Sequence, residues 1–334
     1  MSTKTNAQGA ESRIPVLVIF APTASGKTAL TRELFSPQGS HFILNAEIIS
    51  ADSQAVYKGM DIGTAKPDAA LCKEIPHHLI NLITSDIQYN VSDFVDAADA
   101  ACEDIYKRGK LPVVCGGTGF YIRNFLYGLA PTPVSDEALR NKLKTRIAAE
   151  GNQVLYEELK AIDPESAAKI HPNDAYRICR ALEVYYLSGK PRTEFKAEIA
   201  PRTKYDFLFI VLEPSREVLY QRIKERVDLM LKAGLEEVVK KLISAGYTKE
   251  SPGMKAIGYS EWLEAENTDN ADNIEAIAEA IKHHSCKYAK KQYAYIRGIP
   301  GSTVIDFSGS EENFRQISEL VLSFTGKFFA GKIS

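Results

Sequence analysis

The sequence predicts an α/β protein: a phosphate-loop-type parallel sheet flanked by helices, with an inserted helical domain. Three observations predict it. Short apolar runs of β character alternate with stretches of helical period. Glycine-rich turns stand where the first and fourth runs pass into helices. One long stretch in the middle, residues 135–189, is helical throughout and contains no β-type run.

The elements follow in order. Residues 15–20, Pro-Val-Leu-Val-Ile-Phe, form the first strand and lead through residues 21–28 into a helix over 29–35. A second run, 47–51, ends at Asp52, and a third, 78–83, follows a Pro-His turn. A helical stretch over 91–108 precedes a fourth run, 111–115, then Gly116-Gly117-Thr118-Gly119 and a helix to 129. Pro131-Thr132-Pro133 marks a boundary, and the helical insertion beyond it breaks at Gly151, Pro164 and Pro172. A strand over 205–212 returns to the sheet, and Pro214-Ser215 opens a long amphipathic helix. Further helices run to about 297, residues 304–307 make a last strand, and 311–329 a closing helix. The expected domains are therefore 13–132 with 203–330 as the α/β core and C-terminal helices, and 133–202 as the insertion. Repeats and low-complexity segments are absent.

The chain has 334 residues, 45% hydrophobic and 25% charged. That composition supports a substantial core and excludes a disordered, collagen-like or disulfide-stapled chain. The longest apolar run, 16–21, is far shorter than the roughly 20 residues of a membrane helix. Residues 1–12 are polar and show no secretory signal. Cys72, Cys102, Cys115, Cys179 and Cys286 lie far apart, and the histidines lack metal-ligand spacing. A cytoplasmic, membrane-free, monomeric protein is expected. The net charge of −2 excludes a uniformly basic surface. It leaves room for a local one: residues 281–300 carry Lys282, Lys287, Lys290, Lys291 and Arg297 with Tyr288, Tyr293 and Tyr295, and no acid. Basic residues interleaved with aromatic rings suit RNA, whose splayed bases stack on the rings.

Ala21-Pro22-Thr23-Ala24-Ser25-Gly26-Lys27-Thr28 matches the phosphate loop except at its first position, where alanine replaces glycine. Backbone N–H groups at a helix N-terminus surround an anion, Lys27 adds a point charge, and Thr28 offers a hydroxyl to a phosphate-bound Mg²⁺. A positive φ at Ala21 would cost about 1–2 kcal/mol, so ordinary backbone angles are expected there. Asp52, at a strand end where parallel sheets bind ligands, reads on its own as a Mg²⁺ ligand or helix cap more readily than as a base. Thr118, in a glycine-rich turn, reads equally as a phosphate contact or a plain turn residue. Arg216 and Arg222 read as surface charge. Arg177 and Arg180 share a helical face, as do Lys287 and Lys290.

Several segments closely resemble the tRNA dimethylallyltransferase family. They are residues 47–53 ending in Asp52-Ser53, Tyr57 to Pro67, Pro76-His77-His78-Leu79, and 116–121. Later ones are His171 to Asp174 leading into Arg177 and Arg180, Ser215-Arg216 with Arg222, 256–259, and Lys290-Lys291-Gln292. They occur in order over residues 15–300. The resemblance implies transfer of a dimethylallyl group from dimethylallyl diphosphate to N6 of the adenosine 3′ of the anticodon, position 37. It also implies an insertion that grips the anticodon stem-loop. Residues 21–28 would hold the diphosphate, with Mg²⁺ at Thr28. Asp52 would be the base, and Lys27, Thr28, Thr118, Arg216 and Arg222 would stabilise the departing charge. Asp52, Ser53, Gln54, Ala55, Thr118, Arg140, Arg177, Arg180, Lys290, Lys291, Gln292 and Arg297 would contact tRNA. The sequence departs from the family at Ala21, at Gln54-Ala55 where Arg-Gln is common, at Lys291 for Arg and at Tyr295 for Trp; lysine keeps charge but loses bidentate geometry.

The rival readings are an adenylate prenyltransferase using free AMP, ADP or ATP, a phosphate-loop kinase or NTPase, and a non-catalytic nucleotide-gated RNA-binding protein. The insertion and the basic stretch favour a large RNA substrate.

Overall fold

The computed structural model describes residues 13–196, 200–265 and 273–329; the polar stretch 1–12 lies outside the described residues. In chain order the elements are β1 (Ile14–Phe20), α1 (Lys27–Phe35), β2 (Ala46–Ser50), α2 (Ala69–Glu74), β3 (His77–His78), α3 (Val91–Lys107), β4 (Leu111–Gly116) and α4 (Gly119–Tyr127). They continue with α5 (Glu137–Glu150), α6 (Asn152–Ile162), α7 (Pro164–Lys169), α8 (Ala175–Ser188), β5 (Tyr205–Glu213), α9 (Arg216–Lys232), α10 (Leu235–Ser244), α11 (Ser260–Ala265), α12 (Ile274–Ile296), β6 (Thr303–Asp306) and α13 (Glu311–Thr325). Contacts divide the chain into two units, Tyr127–Pro201 and the remainder, Met1–Leu126 with Arg202–Ser334.

The larger unit contains one six-stranded sheet, ordered β3-β2-β4-β1-β5-β6, with every neighbouring pair parallel. A parallel sheet covered on both faces needs nearly continuous apolar strands. In β1, residues Val16 to Phe20 are accordingly fully buried. Leu17 and Ile19 pack with Leu30 and Leu34 of α1, Ile210 and Leu212 of β5, and Ile317 and Val321 of α13. A second apolar cluster joins Val227 of α9, Leu235 and Val239 of α10, and Ile277 and Ile281 of α12 around the buried Tyr259. Asn90 caps α3 with a full capping box, its side chain accepting from Ser92 and Asp93 N–H while the Asp93 carboxylate accepts from Asn90 N–H.

The third apolar run forms a shorter strand than its pattern predicts. Only His77 and His78 pair with β2. Leu79 and Asn81 take φ of 60° and 54°, which turns the chain out of the extended conformation. Among the described residues no helix is long and apolar enough to cross a membrane.

The smaller unit is helical. Asp136, Asp163 and Asp174 each cap a helix by accepting a backbone N–H, from Leu139, Ser166 and Arg177 respectively. Gly151, at φ 86°, separates α5 from α6. Leu143, Leu155, Leu159, Ile178 and Leu182 form its core.

Candidate active site

The strand order places the C-terminal ends of β1, β2 and β4 side by side, the edge at which open parallel sheets bind ligands. Hydrogen bonds hold the three ends together. Ala21 N–H donates to the Gly116 carbonyl at 3.2 Å, Ala51 N–H to the Cys115 carbonyl at 2.9 Å, and Thr118 N–H to the Ala51 carbonyl at 3.1 Å.

After β1 the loop 21–26 wraps over the start of α1. The positive φ values fall on Ala24, at 60°, and on Gly26, at 92°, while Ala21 takes ordinary angles, as expected from the missing first glycine. Gly26 needs its missing side chain twice over: for that φ, and because a Cβ there would lie 2.9 Å from the Phe307 ring. The Lys27 ammonium folds back into the loop, donating to the carbonyls of Ala21 at 2.8 Å and Pro22 at 2.6 Å. Burial pushes its pKa down to about 8; the nearby Cys115 acts against that shift, Arg226 with it, and Asp52 against it.

Asp52 follows β2. Its Oδ1 accepts the Gln54 N–H at 2.9 Å, which leaves Oδ2 outside that turn. Ser53 N–H donates to the Thr118 hydroxyl at 3.0 Å, and the two hydroxyls lie 3.3 Å apart. The Tyr288 hydroxyl is next to Thr118 and Gln292; burial first, then the charge of Asp52, pushes its pKa up to about 12.

These groups surround a cavity of about 680 Å³ built from the larger unit alone. Of the residues singled out from the sequence, Thr23, Ala24, Ser25, Gly26, Lys27, Thr28, Asp52, Ser53, Gln54 and Gln292 line it. Ala21 and Pro22 are buried behind the loop and meet Lys27 through their carbonyls. Ala55 is buried outside the lining, and Thr118 supports the Ser53 turn. Arg216 is exposed, its guanidinium 5.1 Å from the Tyr220 ring centre, and Arg222 donates to the Ser308 carbonyl at 3.0 Å; neither lines the cavity. One turn beyond Arg222, Arg226 does. Sequence reasoning missed it, together with Thr64, Lys255 and Ser285; Tyr288, expected as an RNA-stacking residue of the basic stretch, also lines the cavity. Ile223, Val227, Met230, Ile257 and Ile281 give the same cavity an apolar wall.

The remaining cationic candidates lie elsewhere. Lys290 and Lys291 are exposed on α12, and Arg297 is paired with Glu213. In the helical unit Arg177 is exposed and paired with Asp174. Arg180 donates to Glu183 at 2.6 Å and to the Pro133 carbonyl at 2.9 Å, and Arg140 reaches the same carboxylate at 3.3 Å. Glu183, fully buried, also accepts from the Ser135 hydroxyl and Asp136 N–H.

The arrangement sets an anion-binding loop with three cationic side chains, Lys27, Arg226 and Lys255, a carboxylate and an apolar wall around one hollow. Among the described residues no three His, Cys, Asp or Glu side chains gather as a metal site. A divalent ion here would take few protein ligands, the Thr28 hydroxyl among them, and fill its shell from phosphate and water, as Mg²⁺ does.

Comparison with known proteins bears on which phosphate this is. The family model described as IPP transferase matches residues 55–299. A tRNA dimethylallyltransferase 2 of Geotalea uraniireducens is 40% identical over 318 residues, covering 94% of this chain and 98% of that protein. The tRNA dimethylallyltransferase of Geobacter sulfurreducens is 36% identical, covering 95% and 99%. Among solved structures, a eukaryotic dimethylallyltransferase acting on tRNA matches with a TM-score of 0.78 at 30% identity, over 96% of this chain and 80% of that one. The full-length tRNA isopentenylpyrophosphate transferase of Bacillus halodurans matches with a TM-score of 0.66 at 33% identity, over 94% and 98%.

Proposed function

The chain belongs to the IPP transferase family, and from that membership we propose a chemistry for its cavity: transfer of a dimethylallyl group from dimethylallyl diphosphate to N6 of adenosine 37 in tRNA. It is a tRNA-modifying prenyltransferase. The observation that carries the finer reading is that the phosphate loop, Asp52 and an apolar wall line one cavity, within the size range of small-molecule sites.

The loop N–H groups, Lys27 and Arg226 hold the diphosphate, and the wall of Ile223, Val227, Met230, Ile257 and Ile281 receives the five-carbon chain. Flipping takes the adenosine out of the anticodon loop and into the cavity beside Asp52. An exocyclic adenine amine is a poor nucleophile because its lone pair is delocalised into the ring. As the N6–carbon bond forms, the carbon–oxygen bond to diphosphate breaks and the proton released from N6 passes to the Asp52 carboxylate. Lys27 and Arg226 act most strongly when negative charge has built up on the leaving oxygen. Thr28 would be the protein's ligand to a Mg²⁺ ion bound with the diphosphate, which would supply further neutralisation of that charge. Lys290 and Lys291 on α12 and Arg177 in the helical unit supply phosphate contacts along the anticodon arm, and Arg140 and Arg180 contribute through the charge left over after pairing with Glu183. We propose that the enzyme works as a cytoplasmic monomer.

The test is transfer of labelled dimethylallyl groups with purified protein, Mg²⁺ and either unmodified tRNA or AMP, with and without ATP. Labelled tRNA without ATP is expected. Label on AMP alone would return the adenylate prenyltransferase reading, and tRNA-stimulated ATP hydrolysis without transfer the NTPase reading.

A further inference from the structure

Gln292, on α12, is 7% exposed and lines the cavity together with Asp52. Its Nε2 donates to the Gly117 carbonyl at 2.6 Å. A carbonyl can only accept, so the amide is oriented: nitrogen toward Gly117, Oε1 on the opposite branch. Glycine at 117 makes this approach possible, since a Cβ there would stand 2.5 Å from Nε2 and 3.2 Å from the Ala21 carbonyl oxygen. The oriented Oε1 is buried and accepts no hydrogen bond from the described residues, the Tyr288 hydroxyl beside this side chain included. A desolvated acceptor of this kind is costly unless an occupant of the cavity brings a donor.

The two substrates differ in what they bring. An ionised diphosphate on a hydrocarbon chain has no hydrogen-bond donor. The adenine amine has two N–H groups. We propose that Gln292 Oε1 accepts one N6–H of the target adenine while Asp52 takes the other, so that Gln292 selects adenine over purines without an amine at that position. The proposal rests on the prenyl-transfer reading above. In the step itself the N6–carbon bond forms, the carbon–oxygen bond to diphosphate breaks, and one N6 proton moves to Asp52. The second hydrogen stays on N6 and on Gln292 throughout. With both in-plane hydrogens held by acceptors, the lone pair that attacks the allylic carbon lies out of the ring plane.

Gln54 is the other cavity-lining glutamine with an unpaired buried Oε1. Its Nε2 meets only the Ser53 hydroxyl, at 3.4 Å, and a hydroxyl both donates and accepts. That amide is not oriented, which is why the assignment goes to Gln292.

The experiment measures affinities for three anticodon stem-loops differing only at the target base: adenine, purine without the amine, and hypoxanthine, whose ring carries an oxygen in place of the amine. The wild-type enzyme should prefer adenine over purine by about three- to tenfold, and over hypoxanthine by more, because two acceptors then face each other. In Gln292→Met that preference should shrink to the part Asp52 alone supplies, a loss of about threefold or more, while affinity for the purine stem-loop stays within about twofold, which also shows that fold and RNA grip survive. Gln54→Met should keep the preference. Equal wild-type affinity for adenine and purine, an unchanged preference in Gln292→Met, or its loss in Gln54→Met instead would each overturn the assignment. The wild-type comparison needs no variant and stands even if Gln292→Met fails to fold. Failure of the prenyl-transfer reading looks different: the wild-type enzyme would then leave the adenine stem-loop unlabelled.

Discussion

Lys27 should impose a break on the alkaline side of the pH–rate profile. Burial lowers its pKa from 10.5 to about 8, so the free enzyme loses the loop's ammonium within the working range. With that pKa, Lys27 is about nine-tenths protonated at pH 7 and about one-tenth at pH 9, by the ordinary titration relation. Only the ammonium form attracts the diphosphate, so kcat/KM for dimethylallyl diphosphate should fall roughly tenfold between those pH values and about tenfold per unit beyond. Two neighbours are excluded as the source, because burial holds the Cys115 thiol up at about 11 and the Tyr288 phenol at about 12. Two variants move the break in known directions. Lys27→Arg keeps its charge throughout and should lose the break, whatever its absolute rate. Asp52→Asn removes the nearby anion that favours the ammonium, so the break in its residual activity should move to lower pH. The assay is kcat/KM for the donor at saturating tRNA from pH 7 to 9.5. A profile flat to pH 9.5 in the wild-type enzyme would refute the argument, since the ammonium would then be either unshifted or irrelevant to donor binding.

Asp52→Asn preserves shape and the turn to Gln54 but not proton affinity; single-turnover transfer should fall by roughly 10²–10⁴ with tRNA affinity little changed. A collapse of tRNA binding with normal turnover of bound substrate would make Asp52 a binding residue. Arg226→Met should weaken donor affinity and slow transfer, whereas Arg222→Met should change either by less than about threefold; the reverse order in a kinetic comparison would move the diphosphate toward Ser308. Neutralising Lys290 and Lys291 together should flatten the log–log salt dependence of tRNA binding by up to about two units, and an unchanged slope would remove them from the interface. Glu183→Ala leaves Arg140, Arg180 and Ser135 without a shared acceptor and should destabilise the helical unit by about 3–5 kcal/mol, read as earlier proteolysis within Tyr127–Pro201. In the wild-type protein burial raises the Glu183 pKa, but bonds from Ser135, Arg180 and Asp136 outweigh it and the net shift is downward. Its stabilising contribution is therefore present above the normal carboxylate pKa and is lost as pH falls through the lowered one, which acid unfolding would register.

What the sequence made legible follows the range of each interaction. The six strands and the helical insertion rest on local patterns of apolar residues and breakers, and they are readable as such. The third strand is overextended in that reading because Leu79 gives no sign of left-handed backbone, and Asn81, a residue type that tolerates it, stands alone within an apolar run. The loop at 21–28 and Asp52 are likewise local, a turn and a strand end. The difficult residues are those that reach the cavity from α9 and α12, far along the chain, where only helical phase decides which side chain faces inward. In α9 the inward stripe runs through Leu219, Ile223 and Val227, with Met230 next along. At about 100° per residue, Arg226 lies roughly 55° from the centre of that arc and Arg222 roughly 95°. An arginine that close to a buried stripe pays for desolvation unless an anion meets it, and burial does lower the Arg226 pKa while Asp52 offsets it. A charge set among apolar neighbours in the helix period is therefore the local signal that marks Arg226 as a cavity residue, whereas the family pattern marks Arg216 and Arg222.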